Sequence, residues 1–223
     1  MMFDEFQGWC ILKGDESLQR AVKKQAVKRV DRYQLHTLDS AIKKTTQRRV
    51  AVDVGAHYGV MSYTLSKLFD EVHAFEIDPD VHACLQQNIK NFSMTNVIAH
   101  PFGLGDKKQQ VGLKKKASKT FSTHVDLTAS ENLVPIRTLD SFGLKNVDLI
   151  KIDAEGFEPF IIQGGLNTIK KYKPVILYED KGHSQRYENS YGILDSTVVF
   201  NYELQYLNDK KNKLLKVKND NSK

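Results

Sequence analysis

The sequence predicts an open, doubly wound α/β domain built on a mostly parallel, Rossmann-like sheet. Short apolar, β-branched runs alternate with helical segments of about ten to fifteen residues, which is the spacing of βαβ crossovers. Acidic residues follow several of these runs, at the carboxyl ends where open α/β sheets bind ligands. With 223 residues, 40% of them hydrophobic and 27% charged, the chain has the length and composition of one globular domain.

The first 48 residues are predicted to form a helical extension that packs on the core, either over the cleft as a helical lid or only against the sheet. Apolar residues recur at helical spacing between residues 15 and 35, and Asp15 is placed to cap this helix. A second helix is predicted over residues 38–47. The core domain would then cover residues 49–218, and residues 219–223 would form a disordered tail.

Strands and helices are predicted to alternate through the core, and an antiparallel hairpin closes the chain. The predicted parallel strands are 50–54, 71–77, 96–102, 147–153 and 173–180, and the helices between them are 59–69, 79–92 and 159–171. Residues 103–137 are less regular, with short strands near 109–114 and 133–137. The final segments, 202–208 and 212–218, flank Asp209 and predict the hairpin.

The stretch VAVDVGAHYG ends the first strand in an acid and two glycines, an arrangement typical of a cofactor loop. Gly55 and Gly59 allow backbone amides to approach a ligand at the start of a helix. The middle glycine of the dinucleotide fingerprint is missing, and Asp53 would repel a pyrophosphate while attracting an amine or a sulfonium. Glu76 ends the second strand, where a carboxylate accepts hydrogen bonds from ribose hydroxyls in either cofactor. Electrostatics therefore favours S-adenosylmethionine over NAD.

Several motifs follow one another from about residue 48 to residue 181. They are VDVGAHYGVMSYTLSK, HAFEIDPDVHACLQQNIKNF, FGLGD, RTLDSF and LIKIDAEGFEPFIIQGGLNTIKKYKPVILYE. In this order they resemble the FkbM family of S-adenosylmethionine-dependent methyltransferases, for which an IDxEGxE block after TLD is specific. The chain departs from the usual family pattern at His57, Ile77 and Ala154, where Asn, Pro and Val are common. The resemblance implies methyl transfer, typically to a hydroxyl of a sugar or a secondary metabolite.

The resemblance also implies a set of cofactor-binding residues. The methionine-side loop would comprise Asp53, Gly55, Ala56, His57, Tyr58 and Gly59; Glu76 and the adjacent Ile77 would lie at the ribose, Gly103 and Leu104 at the adenine, and Asp153 at the sulfonium.

The segment KIDAEGFE gathers the candidates for the reacting end of the site. Asp153 or Glu155 could accept the proton of an acceptor hydroxyl, and Glu179, at the end of the fifth strand, borders the same cleft. Asp153 could instead only orient the cofactor, and Glu155 could be a helix-start acid. Asp153 and Glu155 could also hold Mg²⁺, although no motif supports a metal. Glu158 reads as a capping-type acid.

The acceptor is predicted to be a small hydroxylated molecule, foremost a carbohydrate. A net charge of +6 and Lys- and Arg-rich runs at 20–32, 107–119 and 209–223 keep nucleic-acid methylation open as an alternative. Solubilising surface charge explains these runs better, because no aromatic residue is interleaved with Lys in the last two. A cofactor-binding module without turnover is a further alternative, which the intact acids argue against.

A cytoplasmic protein is expected from the remaining signals. No apolar run is long enough to cross a bilayer, and the first residues lack a signal-peptide pattern. Cys10 and Cys84 are expected to be reduced, and the spacing of histidines and cysteines matches no zinc site. The sequence does not indicate an oligomeric state.

Overall fold

The computed structural model describes residues 3–115, 120–179, 202–207 and 212–217. The first half contains β1 (Phe3–Phe6), β2 (Trp9–Leu12), α1 (Ser17–Lys24), α2 (Leu35–Ile42), β3 (Val50–Val54), α3 (Val60–Ser66), β4 (Glu71–Phe75), α4 (Pro79–Asn91), β5 (Val97–His100) and β6 (Gly103–Leu104). The second half contains β7 (Gln109–Lys114), β8 (His124–Asp126), β9 (Val134–Arg137), β10 (Val147–Ile152), α5 (Glu158–Gln163), α6 (Leu166–Tyr172), β11 (Val175–Glu179), β12 (Tyr202–Tyr206) and β13 (Asn212–Val217).

A seven-stranded sheet in the order β12-β13-β11-β10-β3-β4-β5 forms the centre of the molecule. The five strands from β11 to β5 are parallel, whereas β13 pairs antiparallel with β11 and β12 pairs antiparallel with β13. The prediction of a mixed α/β fold with a mostly parallel sheet is confirmed. The strand order reverses between β3 and β10, and such a switch point is where open α/β sheets bind ligands.

Apolar side chains cover both faces of the sheet at its centre, because β3, β10 and β11 alternate their residues between two buried layers. Val52, Ile150 and Ile176 point into one layer, and their neighbours Ala51 and Leu149 point into the other. Full burial of each such Val, Ile or Leu side chain stabilises the fold by about 1.5–3 kcal/mol. The mainly apolar composition of β3 and β10, interrupted by Asp53, Asp148 and Lys151, follows from this two-sided burial.

A smaller sheet with the order β6-β9-β7-β8 lies beyond β5 in the chain and includes the strands predicted near 109–114 and 133–137. Within the described part of the chain, no helix is long and apolar enough to cross a membrane. Cys10 and Cys84 are both free and buried. The predicted disordered tail, residues 219–223, lies outside the described residues.

The N-terminal extension differs from the helical prediction. Residues 3–12 form an antiparallel hairpin of β1 and β2, and α1 ends at Lys24 instead of continuing to residue 35. Ala26 and Gln34 both adopt positive φ values of 53°, which interrupt a right-handed helix. The apolar residues beyond Ala26 turn back instead, and Val30 packs in the cluster around Trp9.

The helix predicted over residues 159–171 is divided into α5 and α6. A Cβ atom at Gly164 would lie 1.9 Å from the carbonyl oxygen of Gly105, so the chain makes a close backbone contact there. A second helix then begins at Leu166, because the Asp140 carboxylate accepts the backbone N–H groups of Asn167 and Thr168 at 3.0 and 2.8 Å.

Candidate active site

The loop after β3 is pressed against the end of β10. Gly55 has φ +70°, and a Cβ atom there would lie 1.9 Å from the carbonyl oxygen of Asp153. The N–H groups of Gly55 and Ala56 both donate to the carbonyl of Phe75, at 3.0 Å each. Glycine is therefore required at position 55 both for its positive φ and for the absence of a side chain.

Gly59 ends this loop and begins α3. Its φ is +86°, and an added Cβ would meet Leu85 Cδ1 at 2.6 Å. It supports the turn without contributing to the cavity wall.

Glu76 lies directly after β4 and is only 7% exposed. One carboxylate oxygen accepts the His57 N–H at 2.8 Å, and the other accepts the Asp78 N–H at 2.9 Å. Burial raises the pKa of Glu76 to about 7, against the opposing effect of these two hydrogen bonds. Each oxygen retains a second lone pair, so the carboxylate can accept two more hydrogen bonds, as vicinal hydroxyls would require.

Asp53 does not reach the cavity, in contrast to the direct ligand contact that the sequence predicts. It is fully buried, forms an ion pair with Lys151 Nζ at 2.9 Å, and accepts the Ser62 hydroxyl at 2.6 Å. Lys151 also donates to the carbonyls of Val54 and Gly55, at 3.2 and 2.8 Å. Burial alone would lower the pKa of Lys151, but attraction to Asp53, Asp153 and Glu76 together outweighs burial and raises it. This ion pair fixes the backbone that leads into the glycine loop, and no local sequence signal identifies it.

The three predicted catalytic residues come together at the carboxyl ends of β10 and β11. One carboxylate oxygen from each of Asp153, Glu155 and Glu179 lies within 4.8 Å of the other two. Glu155 has φ +51° and Gly156 has φ +109°, so a tight turn brings Glu155 back toward Asp153. Three carboxylates at this spacing can accept a proton, and they also offer one ligand each to a divalent cation.

Glu158, the first residue of α5, stabilises the same turn. Its Oε1 accepts the N–H groups of Ala154 and Gly156, at 2.9 and 3.2 Å. Burial raises the pKa of Glu158 to about 7. The side chain is 4% exposed and does not line the cavity.

A cavity of about 780 Å³ extends over these strand ends. Its floor includes the predicted residues Gly55, Ala56, His57, Tyr58, Glu76, Ile77, Gly103, Leu104, Asp153, Glu155 and Glu179; Asp53 and Gly59 are absent from its wall. Its roof consists of two segments, within residues 17–37 and 120–125. The sequence left open whether residues 1–48 cover the cleft, and it did not identify the individual residues of the roof, because no motif marks either segment.

Charged and aromatic side chains form part of this roof. Arg20 and Lys24 lie one helical turn apart on α1 and both line the cavity. The ring of Tyr33 is nearly parallel to that of Phe121, with centroids 6.0 Å apart, and Phe121 meets the His57 ring edge-on at 4.4 Å. The roof therefore contacts the glycine loop directly.

Asp15 joins the extension to both the loop and the roof. It is 4% exposed, and its Oδ2 accepts the hydroxyls of Tyr58 and Thr120, each at 2.7 Å. Thr120 Oγ1 lies 2.7 Å from His57 Nε2. Burial would raise the pKa of Asp15, but the hydrogen bonds from Tyr58, Thr120 and Ser17 outweigh burial and lower it. Sequence analysis recognised Asp15 only as a possible helix cap.

Fold and site together define an α/β domain of the methyltransferase type. It has a cavity at the switch point of a parallel sheet, a glycine loop after β3 and a buried acid after β4. The Methyltransferase FkbM domain matches residues 53–214, and the chain belongs to this family. No curated protein sequence matches the chain.

Solved structures share this fold at low sequence identity. The FkbM methyltransferase from Methylobacillus flagellatus KT is similar with a TM-score of 0.54 and 19% identity, over 76% of this chain and 43% of that protein. This chain thus spans less than half the length of that protein. An rRNA methylase from Streptococcus thermophilus is similar with a TM-score of 0.50 and 12% identity, over 82% of this chain and 95% of that one.

Proposed function

We propose that this protein transfers a methyl group from S-adenosylmethionine to a hydroxyl of a small acceptor, foremost a carbohydrate. The observation that carries the proposal is that Glu76, a carboxylate with free lone pairs, lies in one cavity with a cluster of three more carboxylates. Glu76 fits the ribose of the cofactor, and the cluster of three carboxylates fits the end of the site where the methyl group is transferred. In this proposal the catalytic domain covers residues 49–218, and residues 1–48 contribute to its roof.

The described residues fit this cofactor better than a dinucleotide. Glu76 would hold the ribose, the backbone at Gly55 would face the methionine portion, and Ile77 with Gly103 and Leu104 would enclose the adenine. A pyrophosphate would instead meet Glu76 and the acidic cluster at close range, which is electrostatically unfavourable. The cavity volume also lies within the range of about 300–1,000 Å³ that ligand pockets span.

When bound, the cofactor supplies an electrophilic methyl group on a positively charged sulfur. The chain's own residues would align the acceptor and take up its proton. Asp153, Glu155 and Glu179 are candidates for the acceptor of the hydroxyl proton, since one carboxylate oxygen of each lies within 4.8 Å of the other two and all three residues line the cavity. A second carboxylate would stabilise the sulfonium's positive charge. The same three residues would be the ligands if a divalent cation such as Mg²⁺ takes part.

The roof supports a ring-shaped, hydroxylated acceptor. Tyr33 and Phe121 offer apolar ring surface. Lys24 and the N–H groups of Arg20 that do not pair with Glu16 offer hydrogen-bond donors at the same wall. Pockets that combine aromatic surface with a few polar groups are typical small-molecule sites. A sugar, with an apolar face and a polar edge, matches this combination.

Ion pairs in the Lys-rich segment 107–119 argue against a nucleic-acid acceptor. Lys115 pairs with Asp78 at 2.7 Å, and Lys114 pairs with Asp126 at 3.3 Å. Both ammonium groups are thus partly neutralised within the protein, which reduces their attraction for phosphates.

Calorimetry with S-adenosylhomocysteine, S-adenosylmethionine and NADH tests the cofactor. We expect heat from the first two and none from NADH; tight NADH binding without binding of the other two would refute the proposal. Mass spectrometry of a reaction with a mixed panel of neutral and acidic sugars then tests the acceptor. A mass increase of one methyl group on a sugar is expected, and binding without any product would indicate a cofactor-binding module.

A further inference from the structure

The hydrogen bonds around Asp15 determine the direction of every proton in the chain of groups that leads to His57. Oδ1 of Asp15 accepts the backbone N–H of Ser17 at 3.2 Å and that of Thr120 at 3.4 Å, together with the Ser17 hydroxyl at 2.8 Å. Oδ2 accepts the hydroxyls of Tyr58 and Thr120. Because an ionised carboxylate only accepts, all five groups must donate to it.

The Thr120 hydroxyl has one proton, and this proton points to Asp15. Thr120 Oγ1 can therefore act only as an acceptor toward His57 Nε2, 2.7 Å away, so Nε2 must carry the imidazole proton. The ring is neutral as well, since burial lowers the pKa of His57 to about 3. A neutral ring protonated on Nε2 has an unprotonated Nδ1. Among the described residues, none forms a hydrogen bond with this Nδ1, and His57 lines the cavity.

We propose that Asp15 is a positioning residue that, through Thr120, fixes the tautomer of His57 and so makes Nδ1 a hydrogen-bond acceptor for a donor on the bound ligand. The inference rests on the proposed function, in which that donor is the ammonium group of the cofactor or a hydroxyl of the acceptor. His57 thereby selects ligands that place an N–H or O–H group at this point of the cavity. The N-terminal extension becomes part of the site, although it lies outside the family match.

Asp15→Asn distinguishes a positioning role of Asp15 from a purely structural one, because only the positioning role predicts a change in the tautomer of His57. The two backbone N–H groups require the amide oxygen at the Oδ1 position, so the amide NH₂ replaces Oδ2 and donates to Tyr58 and Thr120. The Thr120 hydroxyl is then free to donate to His57 Nε2, which moves the imidazole proton to Nδ1. Replacing a carboxylate by an amide beside a histidine has this effect in serine-protease triads without altering the geometry.

Nitrogen-15 NMR of histidine-labelled, full-length protein measures the tautomer directly, with the His57 signals assigned by their loss in His57→Gln. The wild type is expected to show a protonated Nε2 and an unprotonated Nδ1, and Asp15→Asn the reverse. Thr120→Val should remove the constraint, and Thr120→Ser should restore the wild-type pattern. Asp148→Asn is the matched control, because this carboxylate pairs with Arg49 at the opposite end of β10; its His57 signals should match the wild type.

Binding and turnover identify the ligand donor. A rise of about tenfold or more in the Kd of S-adenosylhomocysteine for Asp15→Asn assigns the donor to the cofactor's ammonium, since two N–H groups would then face each other. An unchanged Kd with a similar rise in acceptor KM assigns it to the acceptor. The proposal is overturned if Asp15→Asn keeps the Nε2-protonated tautomer, or if the tautomer reverses while both constants stay unchanged. Failure of the wild type to bind S-adenosylhomocysteine would refute the proposed function, whereas the NMR result would still decide the role of Asp15 in fixing the tautomer.

Discussion

The buried position of Glu76 makes cofactor affinity depend on pH in a way that can be calculated. Burial raises its pKa to about 7, and we expect only the ionised form to accept both ribose hydroxyls. With that pKa, the ionised fraction falls from about nine-tenths at pH 8 to about one-tenth at pH 6. The Kd of S-adenosylhomocysteine should therefore rise about tenfold between pH 8 and pH 6.

Glu76→Gln should weaken binding and abolish this pH dependence. Loss of a hydrogen bond to a charged group costs about 1.5–3 kcal/mol, which corresponds to a Kd about ten- to a hundredfold higher at pH 8. Calorimetry at pH 6, 7 and 8 measures both effects. Glu158→Gln is the control: burial raises the pKa of Glu158 to about 7 as well, but the residue lies outside the cavity wall, so the wild-type pH slope should remain.

The raised pKa of Glu76 also predicts how the stability of the ligand-free protein depends on pH. A carboxyl group with a pKa raised from 4.5 to about 7 contributes stability below pH 4.5 that is lost as the pH rises through 7, a difference of about 3 kcal/mol. In urea denaturation between pH 4.5 and pH 8, Glu76→Gln should lack this part of the loss seen in the wild type. The substitution is not expected to stabilise the fold, because the amide has one oxygen for the two N–H groups of His57 and Asp78. If Glu76→Gln retains the pH slope of binding or the full pH slope of stability, the assignment of this group is wrong.

Three further substitutions test the loop, the ion pair and the helix cap. Gly55→Ala should abolish detectable binding of S-adenosylhomocysteine, because its Cβ would overlap the carbonyl oxygen of Asp153. The control Gly14→Ala, at φ +74° with no atom within 4 Å of the new Cβ, should only lower stability by about 1–2 kcal/mol. Similar behaviour of the two variants would contradict this reasoning. Lys151→Met should lower the free energy of unfolding by about 3–5 kcal/mol by leaving a buried charge unpaired, and adding Asp53→Asn should restore part of it in urea denaturation. Asp140→Ala should cost about 1–2 kcal/mol through the lost cap of α6 while cofactor affinity stays constant; a changed affinity would link this cap to the site.

The sequence predicted the central sheet and the floor of the site because both arise from local pattern. A β-branched run such as 50–54 reads as a strand buried on both faces, and acids at strand ends converge because parallel strands end at one edge. Asp153 and Glu179 therefore come together as predicted. Glu158 lies in the first turn of α5 as expected, but its carboxylate accepts N–H groups of the preceding turn and does not cap the helix.

The roof and the extension could not be predicted, since they depend on contacts between distant residues. Asp15 and Thr120 are 105 positions apart, and neither belongs to a motif. The sequence places Asp53 correctly at the end of β3, but its partner Lys151 occupies the adjacent strand 98 residues later, so the expected ligand contact is replaced by an internal ion pair. Helical periodicity also predicted that α1 continues past Ala26. The helix ends earlier because packing around Trp9 outweighs the helix propensity of these residues.

Asn88, a buried amide on α4, binds the hairpin and the glycine loop at once. Its side chain pairs with both backbone groups of Cys10 and also donates to the carbonyl of Tyr58. A change that moves the hairpin is therefore passed on to the loop beneath it. The segment matched by the FkbM domain begins at residue 53, so two members of the family can share every strand tip and still differ in the part of the roof that comes before it, here residues 17–37. Aligning the shared segment alone would then say little about which acceptor each of them binds.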